Sequence, residues 1–334
     1  MAGWTNRAPP GSIPAGPCLS MVAMTGRWSV SPEAFRRIAL AAVVALTLTI
    51  ISGAAVRLTG SGLGCDTWPQ CDTTSVVAPL QFHAWVEFGN RLINAAVTVA
   101  SIGAFVAALR RRPRRRDLTW LSLGLVIGLL AEVVVGAIVV YSKLNPVLVS
   151  VHFVLGLAFL AEAVVLHQRA CLADERAPAR PLVGRVQIGL ARLSLLALTV
   201  VVALGTVVTS TGPHGGSPGT PRYHFSLHTV AQTHGSSVEI FLAITLVMLW
   251  TLMRSGAPPA VLRRAEIMLV ALVAQAAVGY TQYFLGDPVG IVALHVAGAS
   301  MLVIATIHYY FGLWERAPVA SATPELVPPA ALAR

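Results

Sequence analysis

Two stretches of this 334-residue sequence follow the same plan. The first, GAIVVYSKLNPVLVSVH, runs from Gly136 to His152, and the second, GYTQYFLGDPVGIVALH, runs from Gly279 to His295. In both, an apolar segment ends at a turn marked by proline, and a histidine follows in the next apolar segment. Histidines inside membrane helices are rare and usually functional. The repeated plan therefore predicts a duplicated membrane protein with paired histidine sites.

The composition points to an all-α integral membrane protein. Hydrophobic residues make up 55% of the chain and charged residues only 11%, which is too apolar for one soluble core. Runs of about 20 apolar residues fit the hydrocarbon layer as helices, and backbone groups in lipid must bond within such segments. Eight transmembrane helices are predicted, at 35–56, 84–109, 118–141, 147–168, 187–209, 226–252, 263–285 and 289–313.

A second repeated motif places the duplication at four helices plus four. The pattern G-x-x-V-x-x-T-G begins at Gly53, near the end of the first span, and at Gly205, near the end of the fifth. Two tandem repeats in the same orientation imply a pseudo-two-fold axis along the membrane normal. The predicted organisation is a disordered cytoplasmic tail at 1–34, an N-terminal four-helix half at 35–168, a cytoplasmic linker at 169–186, a C-terminal four-helix half at 187–315 and a disordered cytoplasmic tail at 316–334.

The net charge of +10 is explained by membrane topology. Arginines concentrate before the first span and in the loops after the second, fourth and sixth spans, whereas the opposite loops contain few. This is the positive-inside bias, and it predicts a multi-pass protein of the bacterial plasma membrane with both termini in the cytoplasm. The expected partner is the lipid bilayer, and no nucleic-acid partner is expected.

Four cysteines divide between the two sides of the membrane. Cys65 and Cys71 share one outside loop, whereas Cys18 and Cys171 fall in cytoplasmic segments. Because the outside of a bacterium is oxidising, only the first two are expected to form a disulfide. A free-thiol or metal-binding pair is the alternative, although the short loop contains no histidine or further cysteine to complete a zinc site.

Four polar side chains are predicted to share one level of the membrane. Asn90, His152, His234 and His295 each follow the outer end of a span by several residues, which places them about 10 Å deep. Paired histidines on facing helices suit a haem whose iron takes axial ligands from both sides. In the alternative, each histidine bonds a helix carbonyl. A metal site without haem would require further ligands at the same level, and only Glu87 offers one.

Several other polar residues accompany this level. Glu87 precedes Asn90 by three residues, so both point the same way, and an ion pair with Arg91 is its structural alternative. His83 shares the helix face of Asn90 and either lines the mouth of the site, contacts a propionate or lies on the surface. Glu132 aligns with a glutamine in the second repeat, which favours a polar packing contact over chemistry.

These residues resemble the haem A synthase family over about 35–315. The resemblance rests on the loop TGSGLGCDTWPQC at 59–71, the WVEFGNR opening of the second span at 85–91, the histidines of spans four, six and eight, and the four-plus-four duplication. The family oxidises the C8 methyl group of haem O to a formyl group, with oxygen from water, and so makes haem A for terminal oxidases. Haem O synthase and an electron acceptor such as quinone are the further partners that the resemblance implies.

The resemblance also implies roles for individual residues. His234 and His295 would bind the iron of a haem b cofactor in the second half, and His152 would bind the substrate haem in the first. Glu87 would match the catalytic glutamate, and Cys65 and Cys71 would match the loop disulfide. The family pattern Glu-x-x-His-Arg reads Glu87-x-x-Asn90-Arg91 here. Since an amide is a poor iron ligand, the substrate haem would be held by His152 alone or with His83.

Two other functions remain open from the sequence. A cytochrome b-like electron carrier with bis-histidine ligation would explain His234 and His295 equally well, but it would not need Glu87 or the glycine-rich loop. A transporter would also show parallel repeats with polar residues in its helices. The polar residues predicted here lie towards the outer surface, however, and the spans lack central glycine or proline breaks.

Overall fold

Eight long helices account for most of the computed structural model, which describes residues 28–65, 67–71, 75, 77–174 and 178–316. The helices are α1 (Pro32–Leu58), α2 (Phe82–Arg110), α3 (Arg116–Tyr141), α4 (Pro146–Ala170), α5 (Arg185–Thr211), α6 (Leu227–Arg254), α7 (Pro259–Phe284) and α8 (Val289–Phe311). Two short strands, β1 (Arg180–Pro181) and β2 (Trp314–Glu315), pair antiparallel.

The helices begin and end where local chemistry satisfies their terminal groups. The hydroxyl of Ser31 accepts from Ala34 N at the start of α1, and the Asn145 side chain accepts from Val147 N at the start of α4. Proline occupies the first position of α1, α4 and α7, where no backbone donor is needed. These caps explain why α1, α4 and α7 start one to four residues earlier than the apolar segments alone predict.

The two stretches with the repeated plan adopt the same turn. Lys143 and Leu144 have φ of 54° and 62°, and Gly286 and Asp287, at the corresponding positions, have φ of 76° and 59°. The backbone N–H of Leu144 bonds to Val139 O, and that of Asp287 bonds to Gln282 O, both at 2.9 Å. Both turns therefore reverse the chain through two left-handed residues, and each delivers the following helix in the same way.

Helix contacts follow one pattern in both halves of the chain. Among α1–α4, each helix packs against its neighbours in sequence, and α1 packs against α4; among α5–α8 the same contacts recur, with α5 against α8. The halves meet mainly through α1 with α8, α4 with α5, and α4 with α8. In each half the second and fourth helices are therefore diagonal neighbours, and the four interface helices lie at the centre of the molecule.

The tightly packed core occupies one end of the bundle. The largest fully buried apolar side chains come from the first half of α1 and α3 and from the second half of α6, including Phe35, Leu118, Met248 and Leu252. This end is opposite the loop between α1 and α2. The candidate ligands Asn90, His152, His234 and His295 all lie near the other end of their helices, outside this packed region.

Seven of the eight helices are long and apolar enough to cross a membrane by length and composition. Their exposed faces are rich in large apolar side chains, as expected for contact with lipid. The protein is therefore a multi-pass, all-α membrane protein. The seventh helix, α7, does not meet this criterion, and it carries Arg263, Arg264 and Glu266 in its first turns.

The predicted tails and linker contain some ordered structure at their ends. The structure describes residues 28–34 of the predicted N-terminal tail, where Val30 forms a β-bridge with Arg111 and α1 starts at Pro32. In the predicted linker, β1 pairs with β2 after α8. The predicted disorder of 1–27 and 317–334 lies outside the described residues.

Candidate functional site

Two histidines face each other across the second half. His234 on α6 and His295 on α8 have ring centroids 6.4 Å apart, with an angle of 77° between the ring planes. A metal ion that bonds one nitrogen of each ring at about 2 Å would separate the ring centres by roughly 6 Å. The Nδ1 atoms of both rings are buried and have no hydrogen-bond partner in the described structure. The pair therefore fits the predicted axial ligands of a haem.

A glycine backs each of these imidazoles. A Cβ atom built on Gly205 of α5 would lie 3.2 Å from His234 Cε1, and one built on Gly279 of α7 would lie 2.9 Å from His295 Cε1. Any larger residue at these positions would push the ring away. Glycine thus allows each imidazole edge to lie directly against the neighbouring helix.

The first half repeats this arrangement with a different set of side chains. A Cβ atom on Gly136 of α3 would lie 3.4 Å from His152 Cε1, and one on Gly53 of α1 would lie 3.8 Å from Asn90 Nδ2. The glycines that open the two G-x-x-V-x-x-T-G motifs, Gly53 and Gly205, therefore each pack against a candidate ligand position. The glycines that open the two repeated stretches, Gly136 and Gly279, do the same. Asn90 occupies, in this pattern, the position that His234 occupies in the second half.

His152 has an acidic neighbour that the sequence reading assigned to packing. Its Nδ1 atom lies 2.9 Å from Glu132 Oε2, within ion-pair distance, although the atoms are not aligned for a hydrogen bond. Gln275, the residue aligned with Glu132 in the second half, donates from Nε2 to the backbone oxygen of His295 at 2.7 Å. Glu132 precedes Gly136 by one helical turn, and this spacing is the signal that could have identified it.

Asn90 is held by neighbours within the protein. Its Nδ2 donates to Ser52 Oγ at 2.8 Å, and its Oδ1 accepts from Asn94 Nδ2 at 3.3 Å. Ser52 belongs to α1 and directly precedes Gly53. Both ends of the amide are therefore engaged, which agrees with the expectation that Asn90 is a poor iron ligand.

Glu87 forms an ion pair with Arg91, the alternative that the sequence left open beside a catalytic role. Its Oε1 accepts from Arg91 Nη2 at 2.6 Å, and its Oε2 accepts from the backbone N–H of Cys65 at 2.9 Å. The side chains are only 7% and 16% exposed, respectively. A carboxylate that accepts from a guanidinium and from a backbone amide is held by strong, charge-assisted hydrogen bonds. Glu87 is thus fixed in orientation from both sides.

A disulfide joins Cys65 to Cys71, as predicted. We call residues 65–71 the disulfide loop, and we call the end of the bundle that carries it the disulfide end. Arg91 Nη1 donates to the backbone oxygens of Thr67, Pro69 and Gln70. The loop is therefore connected to the candidate catalytic carboxylate both through Cys65 and through Arg91.

His83 lies at the surface and contacts this region from the start of α2. Its Nδ1 lies 2.9 Å from the hydroxyl of the buried Ser61, which also lies 2.8 Å from the Thr59 hydroxyl. The backbone oxygen of His83 packs so closely on Gly64 that no side chain would fit there. The structure thus connects His83 with the glycine-rich segment before the disulfide loop.

Among the described residues, no group of three or more histidine, cysteine, aspartate or glutamate side chains is arranged to hold a metal ion. The rival site with a bare metal ion would require such a group. The histidines are instead brought together as one facing pair in the second half and as a histidine with a carboxylate in the first. This arrangement suits a metal that brings its own equatorial ligands.

Comparison with known proteins gives an independent result. A family model described as "Cytochrome oxidase assembly protein" (COX15-CtaA) matches residues 36–214, more than half of the chain. A "Heme A synthase" from Geobacillus kaustophilus is 33% identical over 105 residues, which is 31% of this chain and 33% of that protein. One from Geobacillus thermodenitrificans is 39% identical over 101 residues, 29% of this chain and 31% of that protein.

A longer match is also present. A "Heme A synthase" from Listeria monocytogenes is 24% identical over 279 residues, 79% of this chain and 89% of that protein. The matches to the two Geobacillus proteins span only about a third of their length.

Proposed function

The chain belongs to the COX15-CtaA family of cytochrome oxidase assembly proteins, and we propose that it is a haem A synthase. In this proposal it oxidises the C8 methyl group of haem O to a formyl group, with water as the source of oxygen. The observation that carries the proposal is Glu87, a buried carboxylate held between Arg91 and the backbone N–H of Cys65 in the glycine-rich loop, because the electron carrier would need neither. The names of the relatives support the same function.

The second half is proposed to hold a haem b cofactor. His234 and His295 would each bind the iron through one imidazole nitrogen, and Gly205 and Gly279 leave the space in which those rings lie. The bound haem would supply a one-electron redox centre beside the substrate half. The chain's own contribution is to hold both imidazoles in position from diagonal helices.

The first half is proposed to bind the substrate haem through His152. A carboxylate near the second imidazole nitrogen of a ligating histidine fixes the ring orientation and raises its basicity. Glu132, whose Oε2 lies 2.9 Å from His152 Nδ1, would take this role. Asn90 would not bind iron, since its amide is bonded to Ser52 and Asn94. The substrate iron would therefore take one axial ligand from the protein.

Glu87 is proposed to be the catalytic carboxylate. Removing electrons from the methyl group leaves positive charge at that carbon, which a nearby carboxylate stabilises, and a carboxylate can also orient or deprotonate the attacking water. Each carboxylate oxygen keeps a lone pair beyond its bond to Arg91 or Cys65. The ion pair with Arg91 and the bond from Cys65 N would hold the group in place for this task.

The finer topology belongs to the same proposal. We propose that α7 also crosses the membrane, because it packs antiparallel between α6 and α8 and has 26 residues. Eight spans place both termini in the cytoplasm of a bacterium and the disulfide end outside. The duplication of four helices is supported by the shared turns and helix contacts. Haem O synthase would supply the substrate, and a quinone would accept the electrons.

The decisive experiment is a haem extract of the purified full-length protein from cells that make haem O. A haem A synthase yields haem A in a host that otherwise lacks it, together with a retained haem b. An extract with haem b alone, and no haem A when haem O is abundant, would indicate the cytochrome b-like electron carrier instead.

A further inference from the structure

Two arginines from different halves meet at the disulfide end of the bundle. Arg57, in the last turn of α1, donates from Nη2 to the backbone oxygen of Thr209 at 2.5 Å and from Nε to that of His214 at 2.7 Å. Arg222, in the connection between α5 and α6, donates from Nη2 to the same oxygen of Thr209 at 3.1 Å. We call Arg57 and Arg222 the arginine pair.

The surrounding connection is shaped to receive these side chains. A Cβ atom on Gly215 would lie 2.7 Å from Arg222 Nη1, and Gly216, with φ of 93°, packs against the aliphatic part of Arg57. The backbone oxygen of Gly216 accepts from Gly62 N at 2.6 Å. The imidazole Nε2 of His214 bonds to the backbone oxygen of Asp287 at 2.8 Å. The pair is therefore held at the junction between the two halves.

The arginine pair has no counter-ion within the part of the chain that the structure describes. No carboxylate there lies within ion-pair distance of either guanidinium, whereas Arg91, Arg111 and Arg115 each have one. Two guanidinium groups that converge on one carbonyl oxygen repel each other. Burial also lowers the pKa of Arg222, because it removes water from the charged group. An anion between them would relieve both costs.

The position of the pair relates it to the candidate haem sites. Thr209 follows Gly205, which packs against His234, by four residues, and Arg57 follows Gly53, which packs against Asn90, by four residues. Four residues of helix rise about 6 Å, and residues four apart share a helix face. The arginine pair thus lies about one turn beyond the level of the candidate ligands, towards the disulfide end.

We propose that the arginine pair binds a propionate carboxylate of the haem that His234 and His295 hold. This inference rests on the proposed function, since it requires that haem to be present. A propionate extends from the edge of the porphyrin and carries the charge that two guanidinium groups recognise best. Arg57 comes from the first half, so one residue of the substrate half contributes to the cofactor site of the other.

The test uses the purified holoprotein and measures the rate at which haem is lost to excess apomyoglobin. Arg57→Gln and Arg222→Gln are each expected to lose haem about tenfold faster, the effect of removing a charge-assisted hydrogen bond. Lys143→Gln is the matched control, because it removes one exposed positive charge from a connection at the same end. Its rate is expected to equal that of the wild-type protein.

The chemical probe is iron protoporphyrin dimethyl ester, which keeps the ring and iron but lacks both carboxylates. Reconstituted with this ester, the wild-type protein and the arginine variants are expected to lose it at equal rates. Faster loss of the ester from the variants would mean that the arginines act through folding, and unchanged loss of natural haem would mean that the propionate lies elsewhere. Either result overturns the inference.

Further measurements distinguish propionate binding from lipid binding and from misfolding of a variant. An anionic lipid headgroup presents similar chemistry, so phosphatidylglycerol retained on the protein is measured by native mass spectrometry. Loss of this lipid from the arginine variants, with haem retention unchanged, would assign the pair to lipid and overturn the inference. Arg222→Gln keeps both bonds of Arg57, so it remains informative if Arg57→Gln does not fold. A wild-type protein that purifies without any haem contradicts the proposed function itself, which the inference requires.

Discussion

At the scale of single residues, the positions of the candidate ligands depend on the glycines opposite them. Gly205 and Gly279 lie so close to His234 and His295 that an added methyl group would contact the imidazole edge. Overpacking of this kind costs about 1–3 kcal/mol. The glycines therefore belong to the site as much as the histidines do.

A single methyl group at Gly279 tests this dependence. Gly279→Ala is expected to weaken haem retention by roughly tenfold or more, because the new Cβ displaces the His295 ring. Gly189→Ala is the control, since nothing lies within 4 Å of a Cβ there. Both changes raise helix propensity by up to about 1 kcal/mol. Equal haem retention in the two variants, measured by absorbance after purification, would contradict the account.

The second residue-scale prediction concerns the charge on Glu87. Glu87→Gln keeps the shape of the side chain but deletes the charge, so we expect bound haem to remain and haem A formation to fall about a hundredfold. Glu33→Gln is the control, because Glu33 forms the same i, i+4 pair with Arg37 but is 61% exposed. If Glu87→Gln makes haem A at the wild-type rate, the carboxylate serves only to hold Arg91 and the disulfide loop.

Residue-scale reasoning from the sequence succeeded where spacing determines geometry. The facing of His234 and His295 and the pairing of Cys65 with Cys71 were predicted, because helix periodicity and compartment chemistry constrain both. The contact between Glu132 and His152 was not, because it depends on how α3 packs on α4. The arginine pair was missed for the same reason, since it joins residues separated by more than a hundred positions.

At the scale of structural elements, the disulfide loop is attached to two helices. Arg91 of α2 donates to three of its backbone oxygens, and Tyr141 of α3 donates to the backbone oxygen of Trp68 at 3.1 Å. The loop thereby covers the start of α2, where Glu87 lies. The conformation of the loop is expected to affect the position of the Glu87 carboxylate more than it affects the free energy of unfolding.

Removing the disulfide tests this expectation. Replacing both Cys65 and Cys71 by serine is expected to lower the free energy of unfolding by only about 2 kcal/mol, since the closed loop is short. Haem A formation should fall further than haem b content. Without the disulfide, the loop no longer fixes Arg91 and the backbone N–H of residue 65, which hold Glu87 in place. Parallel assays of both haems in membranes provide the measurement. Equal loss of the two haems would mean that the loop acts on the whole fold.

The seventh helix offers the second element-scale prediction. If α7 crosses the membrane, Gly286 lies outside and Ser255 lies in the cytoplasm. In a background with both Cys18→Ser and Cys171→Ser, the Gly286→Cys variant is then expected to react with a membrane-impermeant maleimide in intact cells, and the Ser255→Cys variant only after lysis. Labelling of the Gly286→Cys variant only after lysis would show that α7 does not cross the membrane.

At the scale of the whole molecule, two halves with one pattern of helix contacts hold different chemistry. The second half brings two histidines together, whereas the first combines His152 with Glu132 and replaces the other histidine with Asn90. The sequence predicted the eight helices within a few residues, because apolar length and turn residues determine them. It could not predict how the halves join, since the contacts among α1, α4, α5 and α8 are set by packing between distant segments.

In the proposed function the two halves hold different haems, with the resident haem b in the second half and the substrate haem in the first. The most direct measurement is the haem extract of His152→Ala and His234→Ala, each purified from cells that make haem O. We expect His152→Ala to keep haem b but to yield little haem A, and His234→Ala to lose haem b. Loss of both haems to the same extent in the two variants, with each protein correctly inserted, would contradict this division.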